Sequence, residues 1–232
     1  IGKRMKIALL LCDDISAELQ DKFGHYQDMF HHLVNKEDQL DVFPVYLYQE
    51  NQTGFFPVIA DYDGFIVSGS KHGVYEDHPW LAPLFAKIQQ IFESGKKLVG
   101  ICFGHQAISM ALGGKVAKSD KGWGIGHYQN TWMAENKPLS LLSFHQDQVA
   151  QMPKGFDVLA GSEFCPYYVT HHQQQVLTTQ GHPEMSQDYI LAIVDLFEDK
   201  IGVDTAIKCR QSLQSHDDTL AFRQFICHFW TV

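Results

Sequence analysis

Three short, nearly unbroken apolar runs restrict what this chain can fold into: residues 6–12 (KIALLLC), 61–68 (DYDGFIVS) and 97–102 (KLVGIC). Continuous rather than alternating hydrophobicity marks strands buried on both faces, which belong to parallel sheets covered by helices. Each run breaks into a polar or glycine-containing loop, and a helical pattern follows: residues 23–34, then 80–93 with Leu81, Leu84, Phe85, Ile88, Ile91 and Phe92 at helical spacing, then 106–112. A fourth strand is expected over 40–48, and Pro44 puts it at an edge or makes it irregular, because proline donates nothing to a ladder. Strand, loop and helix repeating at this interval predict βαβ units in an open sheet, whose right-handed crossovers gather the C-terminal strand ends at one edge.

The middle of the chain has another texture. Residues 115–116, 124–133, 139–144 and 156–161 are short, β-leaning and separated by Gly, Pro and Asn, which predicts antiparallel hairpins appended to the parallel core. Two more strands are expected at 165–169 and 175–179. Helices at 186–199 and 217–229 follow, the last turning Leu220, Phe225, Ile226 and Phe229 to the core. Nothing resembling a linker or an internal repeat divides the 232 residues, so a single domain over 5–232 is expected, with residues 1–4 read as a remnant ahead of Met5.

A formal charge of −9, with no basic run longer than Lys3–Arg4 or Lys96–Lys97, argues against nucleic acid as a partner. The apolar runs fall far short of the roughly 20 residues a bilayer span needs, and Asp13 and Asp14 interrupt any signal-like segment, so the expectation is a cytoplasmic chain without a membrane partner. Five cysteines, Cys12, Cys102, Cys165, Cys209 and Cys227, are odd in number and form no C-x-x-C, which excludes a disulfide framework or a zinc site by spacing. The 13 histidines include the pairs His31, His32 and His171, His172 but no H-E-x-x-H, so no metal is expected.

One short stretch can do chemistry. Gly100-Ile101-Cys102-Phe103-Gly104-His105-Gln106 puts a cysteine between small residues, just after a strand and just before a helix. This is the thiol version of a nucleophile elbow. A helix N-terminus favours the thiolate, and the Phe103 N–H becomes a candidate oxyanion donor. His182 and Glu184 supply the residue types for a base and its orienting carboxylate across the Pro183 turn. Gly69, closing the strand at 61–68, is the candidate for a second oxyanion N–H.

Taken in order, SGS at 68–70, GICFGHQ at 100–106, SFHQDQV at 143–149 and GHPE at 181–184 resemble the class I glutamine amidotransferases over nearly the whole chain. The resemblance implies a flavodoxin-like, three-layer α/β fold: an open, mostly parallel sheet with helices on both faces. It further implies Cys102 as nucleophile, His182 as general base and acid, Glu184 as its orienting partner, and Gly69 and Phe103 N–H groups as the oxyanion hole. Gln106, His145 and Gln146 would hold the substrate, and no cofactor is implied.

The loop Ser68-Gly69-Ser70-Lys71 stands where many members carry Gly-Gly-Pro, and is similar to that of the stand-alone, GMP-synthase-like glutaminase branch. It also resembles plant enzymes that cleave γ-glutamyl bonds in glutathione conjugates. The expected activity is therefore an amidotransferase-type hydrolase releasing ammonia from glutamine through a cysteinyl thioester, with a separate synthase subunit as a candidate recipient. The alternatives are a γ-glutamyl peptidase and a non-catalytic binding or regulatory module on the same fold.

Overall fold

The computed structural model describes residues 4–34, 40–49 and 56–232; of the expected remnant at 1–4, residues 1–3 lie outside them. The chain runs β1 (Met5–Leu11), α1 (Ala17–Phe23), α2 (Tyr26–Met29), a 3-10 turn at Phe30–Leu33, β2 (Leu40–Tyr46), β3 (Gly64–Val67), α3 (Leu81–Glu93), β4 (Lys97–Ile101) and α4 (Phe103–Ala111). There follow β5 (Lys115–Lys118), β6 (Gly124–Trp132), β7 (Lys137–His145), β8 (Asp147–Gln151), β9 (Asp157–Gly161), β10 (Val169–His172) and β11 (Val176–Thr179). Helices α5 (Gln187–Ile201), α6 (Val203–Ser212) and α7 (Thr219–Thr231) complete it.

Among the described residues the main sheet has nine strands in the order β2-β1-β3-β4-β11-β10-β9-β6-β7. The part from β2 to β11 is parallel, and β2, with Pro44, is its edge strand, as the sequence predicts. From β11 to β7 every pairing is antiparallel, so most of the expected hairpins extend this sheet instead of standing apart; β5 and β8 form a separate ladder.

The unbroken hydrophobicity of β1 has its explanation in two cores. Ile7, Leu9 and Leu11 pack with Phe30, Ile190, Ile226 and Trp230 on one face of the sheet. Ala8, Leu10 and Cys12 face the other way, toward Leu84 and Ile88 of α3 and Ala107 and Ile108 of α4. Successive side chains on a strand point to opposite faces, so a strand between two helical layers must be apolar at every position. Each fully buried Leu or Ile contributes about 1.5–3 kcal/mol of transfer free energy.

Register then aligns the functional loops. Leu10 is opposite Val67, Val67 opposite Gly100, and Thr179 opposite Ile101. The chain therefore leaves β1 at Cys12, β3 at Ser68, β4 at Cys102 and β11 at Gln180, all along one edge.

Several boundaries differ from the sequence expectation. The helix expected at 23–34 is broken: Gly24, at φ 72°, ends α1, and a capping box between His25 and Asp28 starts α2. Helix α4 begins at Phe103 rather than at 106, directly after the cysteine, and the strand expected at 165–169 lies instead at Val169–His172. Strand β8 and helix α6 escaped the reading; α6 buries only Ala206 and Cys209, too little for a visible apolar stripe. In α7 the inward residues include Phe222 and Trp230, while Leu220 is exposed. Among the described residues no helix is long and apolar enough to cross a membrane.

Candidate active site

Cys102 links β4 to α4 with φ 50° and ψ −104°. A non-glycine residue at positive φ costs on the order of 1–3 kcal/mol and persists only where its surroundings hold it. Here the Cys102 N–H donates to Thr179 O at 2.8 Å, and the Cys102 carbonyl accepts the Gln106 N–H at 3.1 Å. Gly104 is needed for the close approach of α4 to the sheet, since a Cβ there would lie 2.1 Å from the Val67 carbonyl oxygen.

The strand next to β4 brings in the expected partners. His182 Nδ1 and Glu184 Oε1 are 2.7 Å apart, both side chains buried, across the turn that follows β11. Arg223 from α7 fixes this turn by donating to Pro183 O at 2.5 Å and Met185 O at 3.3 Å. Burial alone would depress the His182 pKa. The charges of Glu184 and Cys102, with hydrogen bonds to both, outweigh burial and lift it well above the ordinary histidine value. The structure thus brings Cys102, His182 and Glu184 into one connected group.

Two members of this group went unread in the sequence. Tyr26 donates its hydroxyl to Glu184 Oε1 at 2.7 Å, and burial together with the Glu184 charge keeps its phenol protonated. Gln180 donates Nε2 to Cys102 Sγ at 3.4 Å and accepts from Gln106 Nε2 at 3.0 Å. Gln180 directly precedes the GHPE motif, a local cue; Tyr26 is separated from Glu184 by 158 residues and carries none.

The loop after β3 is pinned to the end of β1. Cys12 N–H donates to Ser68 Oγ at 2.9 Å, Ser70 Oγ to Cys12 O at 3.1 Å, and Lys71 N–H to Asp13 Oδ2 at 2.8 Å. Gly69 is thereby pressed against the site, where a Cβ would meet the Tyr26 hydroxyl at 2.5 Å and His182 Cε1 at 3.3 Å. Phe103, as the first residue of α4, has an N–H without an intrahelical acceptor.

A cavity of about 660 Å³ opens onto Cys102 and His182, and Gln106, His145 and Gln146 are among the residues that line it. Gln106 is committed to the frame, since its Nε2 also donates to Asp147 O at 2.9 Å. The other walls are mixed: Lys71, Lys118 and Lys200 among the cations, Trp123, Phe144, Ile193 and Phe197 among the apolar groups.

Two buried histidines near this floor make stability depend on pH. Burial and the neighbouring His145 lower the His105 pKa to about 3; burial, and then the charge on His182, lowers that of His145 to about 4. In the unfolded chain both titrate near the ordinary value of about 6.5. Between about pH 6.5 and 4 the unfolded state binds the extra protons, so stability falls as pH falls, by about 1.4 kcal/mol per pH unit for each ring. Urea unfolding at pH 7 and at pH 5 should show a clearly lower midpoint at pH 5. An unchanged midpoint would contradict two neutral, buried rings.

A cysteine between strand and helix thus stands beside a histidine–carboxylate pair in the turn after the neighbouring strand, at the C-terminal edge of a flavodoxin-like sheet. The chain belongs to the class-I glutamine amidotransferase family, whose model matches residues 19–189. It is 31% identical to γ-glutamyl peptidase 4 of Arabidopsis thaliana, over 98% of this chain and 95% of that protein, and 32% identical to γ-glutamyl peptidase 3 of the same plant, over 83% and 81%. A GMP synthase of Dehalococcoides mccartyi is 38% identical over 53% of this chain but only 23% of its own length. The fold also matches a solved glutamine amidotransferase from Thermotoga maritima, with a TM-score of 0.72 at 17% identity over 99% of this chain and 97% of that one.

Proposed function

We propose that this protein hydrolyses the γ-glutamyl amide bond of small peptides of the glutathione type. The Cys102 thiolate attacks the γ-carbonyl carbon, the C–N bond breaks, and His182 gives its proton to the departing amine. Water, deprotonated by His182, then cleaves the thioester and glutamate leaves. Glu184 orients His182, and the N–H groups of Gly69 and Phe103 stabilise the oxyanion. Gln106, His145 and Gln146 border the glutamyl moiety.

The size and lining of the cavity carry the substrate assignment. Its 660 Å³ falls in the roughly 300–1,000 Å³ range of pockets that bury drug-sized ligands, well beyond one amino acid. Lys118 and Lys200 suit the carboxylates of a peptide leaving group, Lys71 being paired with Asp13 at 3.3 Å, and Trp123, Phe144 and Phe197 suit a substituent on its sulfur. Similarity to the Arabidopsis γ-glutamyl peptidases along almost the full chain supports the same reading. Glutathione, an S-substituted glutathione and glutamine should be offered to the purified protein side by side, with free glutamate as the readout. A γ-glutamyl peptide should exceed glutamine in kcat/KM by about tenfold or more, the discrimination one good pocket contact supplies. Preference for glutamine would reverse the assignment. It would favour a glutaminase delivering ammonia to a separate synthase subunit, the reading to which the partial GMP synthase similarity points.

A further inference from the structure

The loop between β3 and α3 holds a second cluster of chemical groups that the hydrolysis does not use. One nitrogen from His72, one from His78 and one carboxylate oxygen of Glu76 all lie within 4.8 Å of one another. His72 Nδ1 is 3.1 Å and His78 Nε2 2.7 Å from the same oxygen, Glu76 Oε2. We propose that His72, Glu76 and His78 form a three-ligand site for a borderline divalent transition metal, Zn²⁺ being the type case, on the rim of the cavity.

The donor set and its spacing support this. Two imidazoles and a carboxylate match Zn²⁺ and its neighbours in the first transition row, whereas Ca²⁺ and Mg²⁺ favour oxygen-only shells. At metal–ligand bonds of about 2.0–2.1 Å, tetrahedral ligand atoms stand about 3.3–3.4 Å apart. The two imidazole–carboxylate separations therefore need to open by about 0.2–0.3 Å and about 0.6–0.7 Å, and the two ring nitrogens, within 4.8 Å of one another, to approach the same spacing.

Each ligand is also held from outside the triangle, as metal ligands commonly are. Glu76 Oε1 accepts the Gly73 N–H at 2.8 Å, which leaves Oε2 for the two rings. His78 stacks on the buried Trp80 at 5.5 Å between centroids and 16° between planes, and His72 meets the same Trp80 edge-on at 6.1 Å. The two imidazoles are only part-exposed while Glu76 is exposed, so a bound ion would be shielded from water on the imidazole side.

The site's place defines its consequence. His72, Gly73, Tyr75 and Glu76 line the cavity, and Tyr75 reaches across to Asp147 at 2.8 Å. A metal would cross-link this thirteen-residue loop, 68–80, to itself and set the position of the wall that faces the leaving group. The sequence conceals the site, because H-x-x-x-E-x-H in a loop is no standard ligand spacing.

The test avoids the reactive thiol and does not depend on turnover. Full-length Cys102→Ala protein, stripped with chelator, is titrated with Zn²⁺ by calorimetry. One equivalent should bind, and His72→Ala, Glu76→Ala and His78→Ala, each added to Cys102→Ala, should weaken it by about 100-fold or more, beyond the roughly 10–100-fold losses typical of outer-shell changes. The conservative His72→Gln and His78→Gln variants should lose binding equally while keeping the metal-free melting temperature. Co²⁺ in the parent Cys102→Ala protein should give the strong visible absorption of a four-coordinate site. Absence of binding, binding unaffected by the three substitutions, or the weak spectrum of hydrated Co²⁺ would each overturn the proposal.

Discussion

Cys102→Ala is expected to lower γ-glutamyl amide turnover by on the order of 10⁵–10⁶-fold, the loss seen when the nucleophile of a cooperating triad is removed. The loss should sit in kcat, because the cavity walls that would bind substrate remain. Folding should survive: the side chain is 6% exposed and only its sulfur is deleted, while alanine meets φ 50° at the same steric cost as cysteine. Gln180 would lose its contact to Sγ but keep its hydrogen bond from Gln106. Glutamate release is to be compared at matched melting temperature. Activity within about tenfold of the parent would remove Cys102 from the proposed reaction.

Glu184→Gln is the second large effect. The amide is nearly isosteric and still accepts the Tyr26 hydroxyl, so packing is conserved while the charge disappears. That charge is the largest influence raising the His182 pKa, against burial, which lowers it; without the charge the pKa falls. The imidazolium then gives up its proton at lower pH, and the orientation imposed through Nδ1 is weakened. A loss in kcat of about 10³–10⁴-fold is expected, by analogy with carboxylate-to-amide changes in other triads. A purely structural role would leave the pH profile unmoved, so the alkaline limb of residual activity is the sharper readout. It should shift to lower pH than in the parent, and a fixed limb with less than a tenfold loss would refute the role given to Glu184.

What could be read from the sequence depended on whether its cause was local. The strand at 6–12 was legible because burial on both faces demands apolar residues at every position, and the elbow was legible because glycine at 104 is required by an approach to Val67 within the same βαβ unit. The break at Gly24 was not, because the apolar spacing of Phe23, Met29, Phe30 and Leu33 mimics one helix while a capping box restarts it. Helix α6 was missed for the opposite reason: it lies on the surface and buries two small side chains. At the site, the cysteine and the GHPE turn announce themselves, whereas Tyr26 becomes a partner of Glu184 only after α2 folds over the strand ends. Glu76 and its two histidines were overlooked because their grouping is made by a loop and by stacking on Trp80, neither of which has a periodic signature.

The adjacency of β4 and β11 separates two kinds of inheritance. Cys102 and His182 leave neighbouring strands whose ladder, Thr179 opposite Ile101, fixes their separation through backbone hydrogen bonds that no side-chain exchange disturbs. The walls around them come from the segments after β1, β3, β5 and β7 and from α5, which the β4–β11 ladder does not constrain in length or composition. Substitutions in those walls can therefore change what such a chain accepts, segment by segment, while the ladder keeps Cys102 and His182 at one spacing.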